Sequence, residues 1–168
     1  MKIAVISDTH IGDRVRGFPH RFLEKLAEFD AIVHCGDFTA PEVINQLDGI
    51  AEFYGVYGNM DTSAIWQKLP ESKVIELQNY TIGILHGWGS PYKLGQRVLS
   101  WFQNNYPNIN FDIILFGHSH QPTDETIDGV RVLNPGAIVG NAFSQYASWA
   151  SLELKNDEII WSIKQIER

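Results

Sequence analysis

Apolar residues fall in short runs separated by clusters of glycine, histidine and acidic residues, and the period of each run separates strand from helix. Lys2 to Ser7 (KIAVIS) is β-branched, apolar and bounded by polar residues, the signature of a buried strand. Ala31 to Cys35 and Phe53 to Tyr57 read the same way. Pro19 to Phe29 brings Phe22, Leu23, Leu26 and Ala27 onto one face and predicts a helix. Thr39-Ala40-Pro41-Glu42 has the form of a capping box with proline in the first turn, so a helix should follow to about Leu47.

In the second half, Val74 to Leu77 and Tyr80 to Leu85 flank Gln78-Asn79, predicting a hairpin. Leu94, Val98, Trp101 and Phe102 mark an amphipathic helix, and Asp112 to Phe116 a strand. Thr123 to Ile127 and Val130 to Leu133 flank Asp128-Gly129, a strong turn signal. Ala147 to Leu154 and Ile159 to Ile166 predict two more strands joined at Asn156-Asp157. Alternation of strand and helix gives way to mostly strand. That order implies an α/β fold of two packed sheets covered by helices rather than one doubly wound sheet.

Composition narrows the class. A chain of 168 residues with a 44% hydrophobic fraction suits one globular domain over 1–168. The apolar run at the N-terminus is too short for a signal peptide, and no stretch approaches a membrane span, so no membrane partner is expected. Cys35 is the only cysteine, which fits a reducing, cytoplasmic setting. A net charge of −7 argues against broad nucleic-acid binding. An acidic chain can still take a phosphate if divalent ions reverse the sign of one site.

Five apolar runs end alike, in glycine with histidine, aspartate or asparagine. The endings are Ser7-Asp8-Thr9-His10, Gly36-Asp37, Gly58-Asn59-Met60-Asp61, His86-Gly87 and Gly117-His118-Ser119-His120. Ligands of open α/β sheets bind beyond the carboxyl ends of strands, so these endings would gather oxygen and nitrogen donors at one edge. Imidazole mixed with carboxylate and amide suits Mn, Fe, Co, Ni or Zn better than Mg or Ca alone. Seven donors exceed one tetrahedral ion but fit two ions sharing a carboxylate, ~3.5–4 Å apart, an arrangement suited to in-line displacement at phosphorus. His20, His34 and Cys35 read as structural, and Asp61 as a second carboxylate supporting Asn59 or its loop.

At these blocks the chain resembles the calcineurin-like metallophosphoesterase family, over about residues 1 to 140. Its short length, SDTH near the N-terminus and Asn134-Pro135-Gly136 make it similar to the small bacterial and archaeal phosphodiesterases. The resemblance implies a four-layer sandwich of two mixed sheets between helices. It further implies that Asp8, His10 and His120 bind one metal, that Asp37 bridges, and that Asn59, His86 and His118 complete the second site. Asp37, Asn59 and His118 are then the catalytic residues, with Asn59 also meeting substrate, a small phosphoester attacked in line by a metal-bridging hydroxide. Manganese is the first choice of metal, with Ni, Fe, Co or Zn as alternatives.

Met60 departs from the family, which often has histidine or, in the small phosphodiesterases, cysteine after the motif asparagine. Methionine carries no proton. Losing an acid–base group costs roughly 10²–10⁴-fold on a poor leaving group, which favours diesters and aryl esters. The alternatives are a phosphomonoesterase and a non-catalytic scaffold resembling the retromer small subunit. Loops 12–18, 88–93 and 137–146 are the expected specificity elements. Trp66 and Trp101, if exposed, would mark a homo-oligomer surface, in a dimer or tetramer.

Overall fold

The computed structural model describes residues 1–139 and 146–166. Its elements, in chain order, are β1 (Lys2–Ile6), α1 (Phe22–Leu26), β2 (Ala31–His34), α2 (Glu42–Asp48), β3 (Glu52–Gly55), α3 (Ser63–Trp66), β4 (Ser72–Leu77) and β5 (Tyr80–Leu85). They continue with α4 (Leu94–Asn105), β6 (Ile113–Phe116), β7 (Thr123–Ile127), β8 (Val130–Asn134), β9 (Ser148–Lys155) and β10 (Glu158–Gln165). The strands form two mixed sheets, ordered β10-β9-β1-β2-β3 and β4-β5-β6-β8-β7. Strands β1, β2 and β3 are parallel, as are β5, β6 and β8, while the outer partners run antiparallel.

Side-chain alternation builds the layers. Ile3 and Val5 of β1 join Val33, Ile82, Ile84, Ile113, Leu115 and Leu152 in a core drawn from both sheets. Ala4 and Ile6 point the other way, into a core with Leu26 of α1, Val43 and Leu47 of α2, and Trp149. On the far face of the second sheet, Ile114, Phe116 and Val132 pack under Val98 and Phe102 of α4. The order is therefore helix, sheet, sheet, helix. With strands paired on both sides and buried on both faces, β1, β2 and β6 read as continuous apolar runs.

Local expectations fail where tertiary contacts outbid them. The helix expected over 19–29 shrinks to five residues, because Arg21 takes a left-handed φ of 60° at its start. The capping box does not form. Thr39 itself sits at φ 66°, and its hydroxyl donates to Ile11 O at 2.6 Å instead of accepting from a helix amide. Both hairpins form as expected, with Gln78 and Asn79, and Asp128 and Gly129, all at positive φ. Among the described residues no helix is long and apolar enough to cross a membrane. Of the expected specificity loop 137–146, positions 140–145 lie outside the described residues.

Candidate metal centre

The carboxyl ends of β1, β2, β3, β5 and β6 open on the same edge, and the turn after each carries a candidate donor. Five of the seven candidates, Asp8, His10, Asp37, His118 and His120, hold φ between 45° and 65°. Non-glycine residues avoid this region, at a cost of order 1–3 kcal/mol each, and such strain gathers at functional sites. The tight turns aim each side chain back over the strand ends. They also bring the chains together so closely that a Cβ on Gly117 would lie 2.0 Å from Ser7 Oγ.

The side chains meet in two groups. Asp8, His10 and His120 form one, with His120 Nε2 at 3.0 Å and His10 Nε2 at 3.9 Å from Asp8 Oδ1. Asp8, Asp37 and His86 form the other, with His86 Nε2 at 3.3 Å from Asp37 Oδ2. The same Asp37 oxygen stands 3.8 Å from His10 Nε2, so it faces one imidazole from each group. Asn59 Oδ1 meets His118 Nδ1 at 2.9 Å, and the His118 ring lies 5.3 Å from that of His86. His118 and His120 thus diverge across the turn, one toward each group.

Hydrogen bonding commits the outer atom of most of these donors to the protein and leaves the inner one open. Asp8 Oδ2 accepts from Ser7 Oγ at 2.5 Å and from the His118 amide at 3.2 Å. Asp37 Oδ1 accepts from the Met60 amide at 2.8 Å. Carbonyls only accept, so His86 Nδ1 donates to Cys35 O at 2.7 Å and His118 Nε2 donates to Gly89 O at 2.8 Å. Each ring so placed presents its other nitrogen inward, as metal-binding histidines do. His118 Nδ1 then faces the Asn59 side-chain oxygen at 2.9 Å, which sets these two donor atoms side by side.

A fit test follows from the buried polar atoms. Among the described residues Asp8 Oδ1, both ring nitrogens of His10 and His86 Nε2 are buried without a hydrogen bond of ordinary geometry. Such orphans are rare in folded proteins; Asp8 Oδ1, His10 Nε2 and His86 Nε2 face the donor groups and fit an ion, while His10 Nδ1 turns toward Asp13 Oδ2 at 4.0 Å. Their electrostatics agree. Burial pushes the Asp8 carboxyl up, but His120 and the charge of His86 outweigh it and hold it well below the usual carboxylate range. Asp37 is likewise lowered, burial being overcome by His86. Burial opposes protonation of His86, yet Asp37 and Asp8 push it up to about 9. The donor set fits divalent metal.

Around these donors lies a layer that the sequence only partly announces. Asp61 is buried and accepts from the amides of Asp37, Gly58 and Thr39 at 3.0, 2.8 and 2.7 Å, tying the second ending to the third. Asn134 donates to Gly117 O at 2.7 Å and fixes the turn before His118. His34 accepts the Gly36 amide on Nδ1 at 3.1 Å and faces Thr9 Oγ1 with Nε2, and burial brings its pKa down to about 3. The Cys35 thiol is buried and pushed up, so it stays protonated and inert. Met60 is exposed, and its amide donates to Asp37 Oδ1. Arg97, which no motif marks, donates to the carbonyls of Trp88, Ser90 and Tyr92 and so shapes the loop whose Gly89 holds His118.

Comparison with known proteins agrees with this fold. A probable metallophosphoesterase of Methanocaldococcus jannaschii is 33% identical over 137 residues, covering 82% of this chain and 68% of the relative. A phosphodiesterase of the same organism is 29% identical over 153 residues, covering 83% and 86%. A Thermotoga maritima protein solved by NMR superposes with a TM-score of 0.76 at 37% identity, covering 98% of this chain and 99% of that one. Zinc-bound Vps29 of Entamoeba histolytica shares the fold, with a TM-score of 0.75 at 24% identity over 99% and 98% of the two chains. The model of the calcineurin-like phosphoesterase superfamily domain matches residues 1–157, and the chain belongs to that superfamily.

Proposed function

We propose that this chain is a phosphodiesterase working with two divalent metal ions, manganese being the first to try. The observation that carries the reading is the set of three buried atoms without a hydrogen bond, Asp8 Oδ1, His10 Nε2 and His86 Nε2, on residues of the two donor groups at the strand ends. Paired ions held there supply Lewis acidity and an activated water for attack at phosphorus. Asp8, His10 and His120 would hold one ion, and Asn59, His86 and His118 the other. Asp37 is assigned the bridge, because its Oδ2 faces an imidazole from each group. The whole of 1–168 is taken as one domain, and the lone buried Cys35 supports a cytoplasmic setting.

The chain's own groups would do the rest. Asn59 stands at the exposed rim with His118, placed to orient the ester and to bind the phosphoryl oxygens along with the second ion. The Gly89 and Cys35 carbonyls hold the tautomers of His118 and His86, keeping the inner nitrogens unprotonated when metal is bound. Nothing at position 60 gives a proton to the departing alkoxide. Good leaving groups therefore turn over best.

The test is hydrolysis of bis-(p-nitrophenyl) phosphate with added Mn²⁺ or Ni²⁺. Turnover that chelation abolishes and metal restores supports the reading. Full metal loading without turnover of any phosphoester would favour a non-catalytic scaffold instead. Met60→His is expected to raise the monoester-to-diester rate ratio about tenfold or more. An unchanged ratio would remove the role assigned to that position. Arg97→Ala should release the 88–92 loop and weaken binding of the second ion by about 10–100-fold, with the first little changed, as read by calorimetric Mn²⁺ titration. Two unaltered binding steps would show that Gly89 holds His118 without the arginine.

A further inference from the structure

Exposed large apolar side chains are few on this molecule, and they are not scattered. Among the described residues they are Met60, Trp66, Trp88, Tyr92 and Ile109. Met60 and Trp88 sit directly in the turns that carry Asn59 and His86, Trp66 ends the short helix after the first of these turns, and Tyr92 follows in the loop of Trp88. Ile109 alone belongs elsewhere, beside the end of α4. Single exposed apolar residues need no explanation, but a group gathered at one site does.

Between Trp66 and Trp88 lies a cleft of about 190 Å³, lined also by Tyr57 and Leu85 and by Asn59 and His86 of the candidate site. The cleft therefore opens directly from the proposed second metal position. Tyr57 and Trp66 pack together with ring centroids 5.9 Å apart, giving one wall a fixed aromatic surface. Among the described residues that line the cleft, Glu71 is the one carboxylate and none is lysine or arginine. A second phosphate on the substrate would find no cation there and one carboxylate against it. A planar ring finds aromatic faces and, at Glu71, an acceptor for ring or amino N–H groups. Size agrees, since an apolar cavity of about 150 Å³ takes up benzene.

We propose that this cleft is the subsite for a planar aromatic group esterified to the phosphate, so that the substrate is an aromatic phosphodiester rather than a polyphosphate or phosphoprotein. The proposal rests on the phosphodiesterase reading above and narrows it. Stacking of a ring on tryptophan is sequence-tolerant and strong enough to be read in binding. The ring is attached either directly to the phosphate, as in an aryl ester, or one sugar away, as in a nucleoside.

The experiment titrates the Mn²⁺-loaded protein with four product-like anions: inorganic phosphate, ethyl phosphate, phenyl phosphate and a nucleoside 5′-monophosphate. Binding is read by calorimetry and by tryptophan fluorescence. At least one aromatic ester is expected to bind about tenfold more tightly than ethyl phosphate. Whichever aromatic ester wins tells where the ring sits, and either supports the subsite. Trp66→Ala and Trp88→Ala should each reduce the preference to about twofold or less, and Trp66→Phe and Trp88→Phe should restore most of it. Equal binding of ethyl and aromatic esters overturns the proposal, as does a preference that survives both alanine variants. A wild-type dimer that the double alanine variant converts to monomer, with no change in ester preference, assigns the tryptophans to a protein interface and also overturns it. Failure of inorganic phosphate to bind the loaded protein at all would instead strike the phosphodiesterase reading.

Discussion

Asp37→Ala is expected to lower turnover of bis-(p-nitrophenyl) phosphate by at least about 10³-fold and to cut bound metal from two ions to one or none. In the proposed site a single carboxylate would neutralise two cations. Asp8 also belongs to both groups, but its Oδ1 faces His10 and His120 and its second oxygen is held by Ser7 and the His118 amide, which leaves Asp37 as the bridge of the proposed site. Without that bridge two ions held by the remaining donors would repel each other with no carboxylate between them. The metal-free fold should survive, because Asp61 accepts the Asp37 amide, which alanine retains. Elemental analysis of the purified variant, its thermal midpoint without metal and its rate separate these effects. Two retained ions with near-normal rate would refute the dinuclear assignment.

Metal affinity should rise steeply with pH, by about a hundredfold between pH 7 and pH 9, and then level off. In the metal-free protein His86 is pushed up to about 9 by Asp37 and Asp8, so near neutrality an incoming ion must displace its proton. One proton displaced means tenfold in affinity for each pH step. Calorimetric titration of Mn²⁺ at pH 6.5 to 8.5, in buffers of different ionisation enthalpy, measures both the slope and the proton release. A flat affinity over that range would mean that His86 is already neutral.

The same group sets the stability of the metal-free chain. A pKa raised from 6.5 to about 9 stabilises the fold fully below 6.5, and the contribution is lost as pH rises through 9, ~3 kcal/mol in all. His34 works in the opposite sense. Its pKa falls from 6.5 to about 3, so the fold loses stability as pH drops below 6.5 and the unfolded chain takes up the proton. Asp8 and Asp37, both lowered, lose their stabilising contribution at still lower pH. Denaturation of the metal-free protein should therefore show its highest midpoint near pH 6–7, with limbs falling on both sides.

Much of this was legible along the chain, because the signals are local. Both hairpin turns, the face of α4 and the runs that became β1, β2 and β6 follow from residue period and turn chemistry alone. The donors were legible for a related reason. Turns that follow buried strands end in residue types that are costly there unless they bind something. Where local reasoning failed, a distant partner had intervened. Thr39 forms no capping box because Ile11 takes its hydroxyl and Asp61 its amide, each more than twenty residues away. The helix Ser63–Trp66 is a single turn, too short to carry a period. Arg97 and Gly89 carry no motif, since their service to His118 runs through backbone carbonyls.

The amino-acid sequence by itself determined which segments form strands and hairpins, which candidate donors follow the strand ends, and that the chain belongs with metal-dependent phosphoesterases. Those properties reside in composition and spacing within a few residues. Only the tertiary structure decided that Asp37 Oδ2 faces both histidine groups, that the 118 and 120 imidazoles part company, and that Trp66 and Trp88 flank one cleft. Each of these is a distance between residues remote in sequence, fixed by how two sheets pack and how their end turns twist into left-handed backbone.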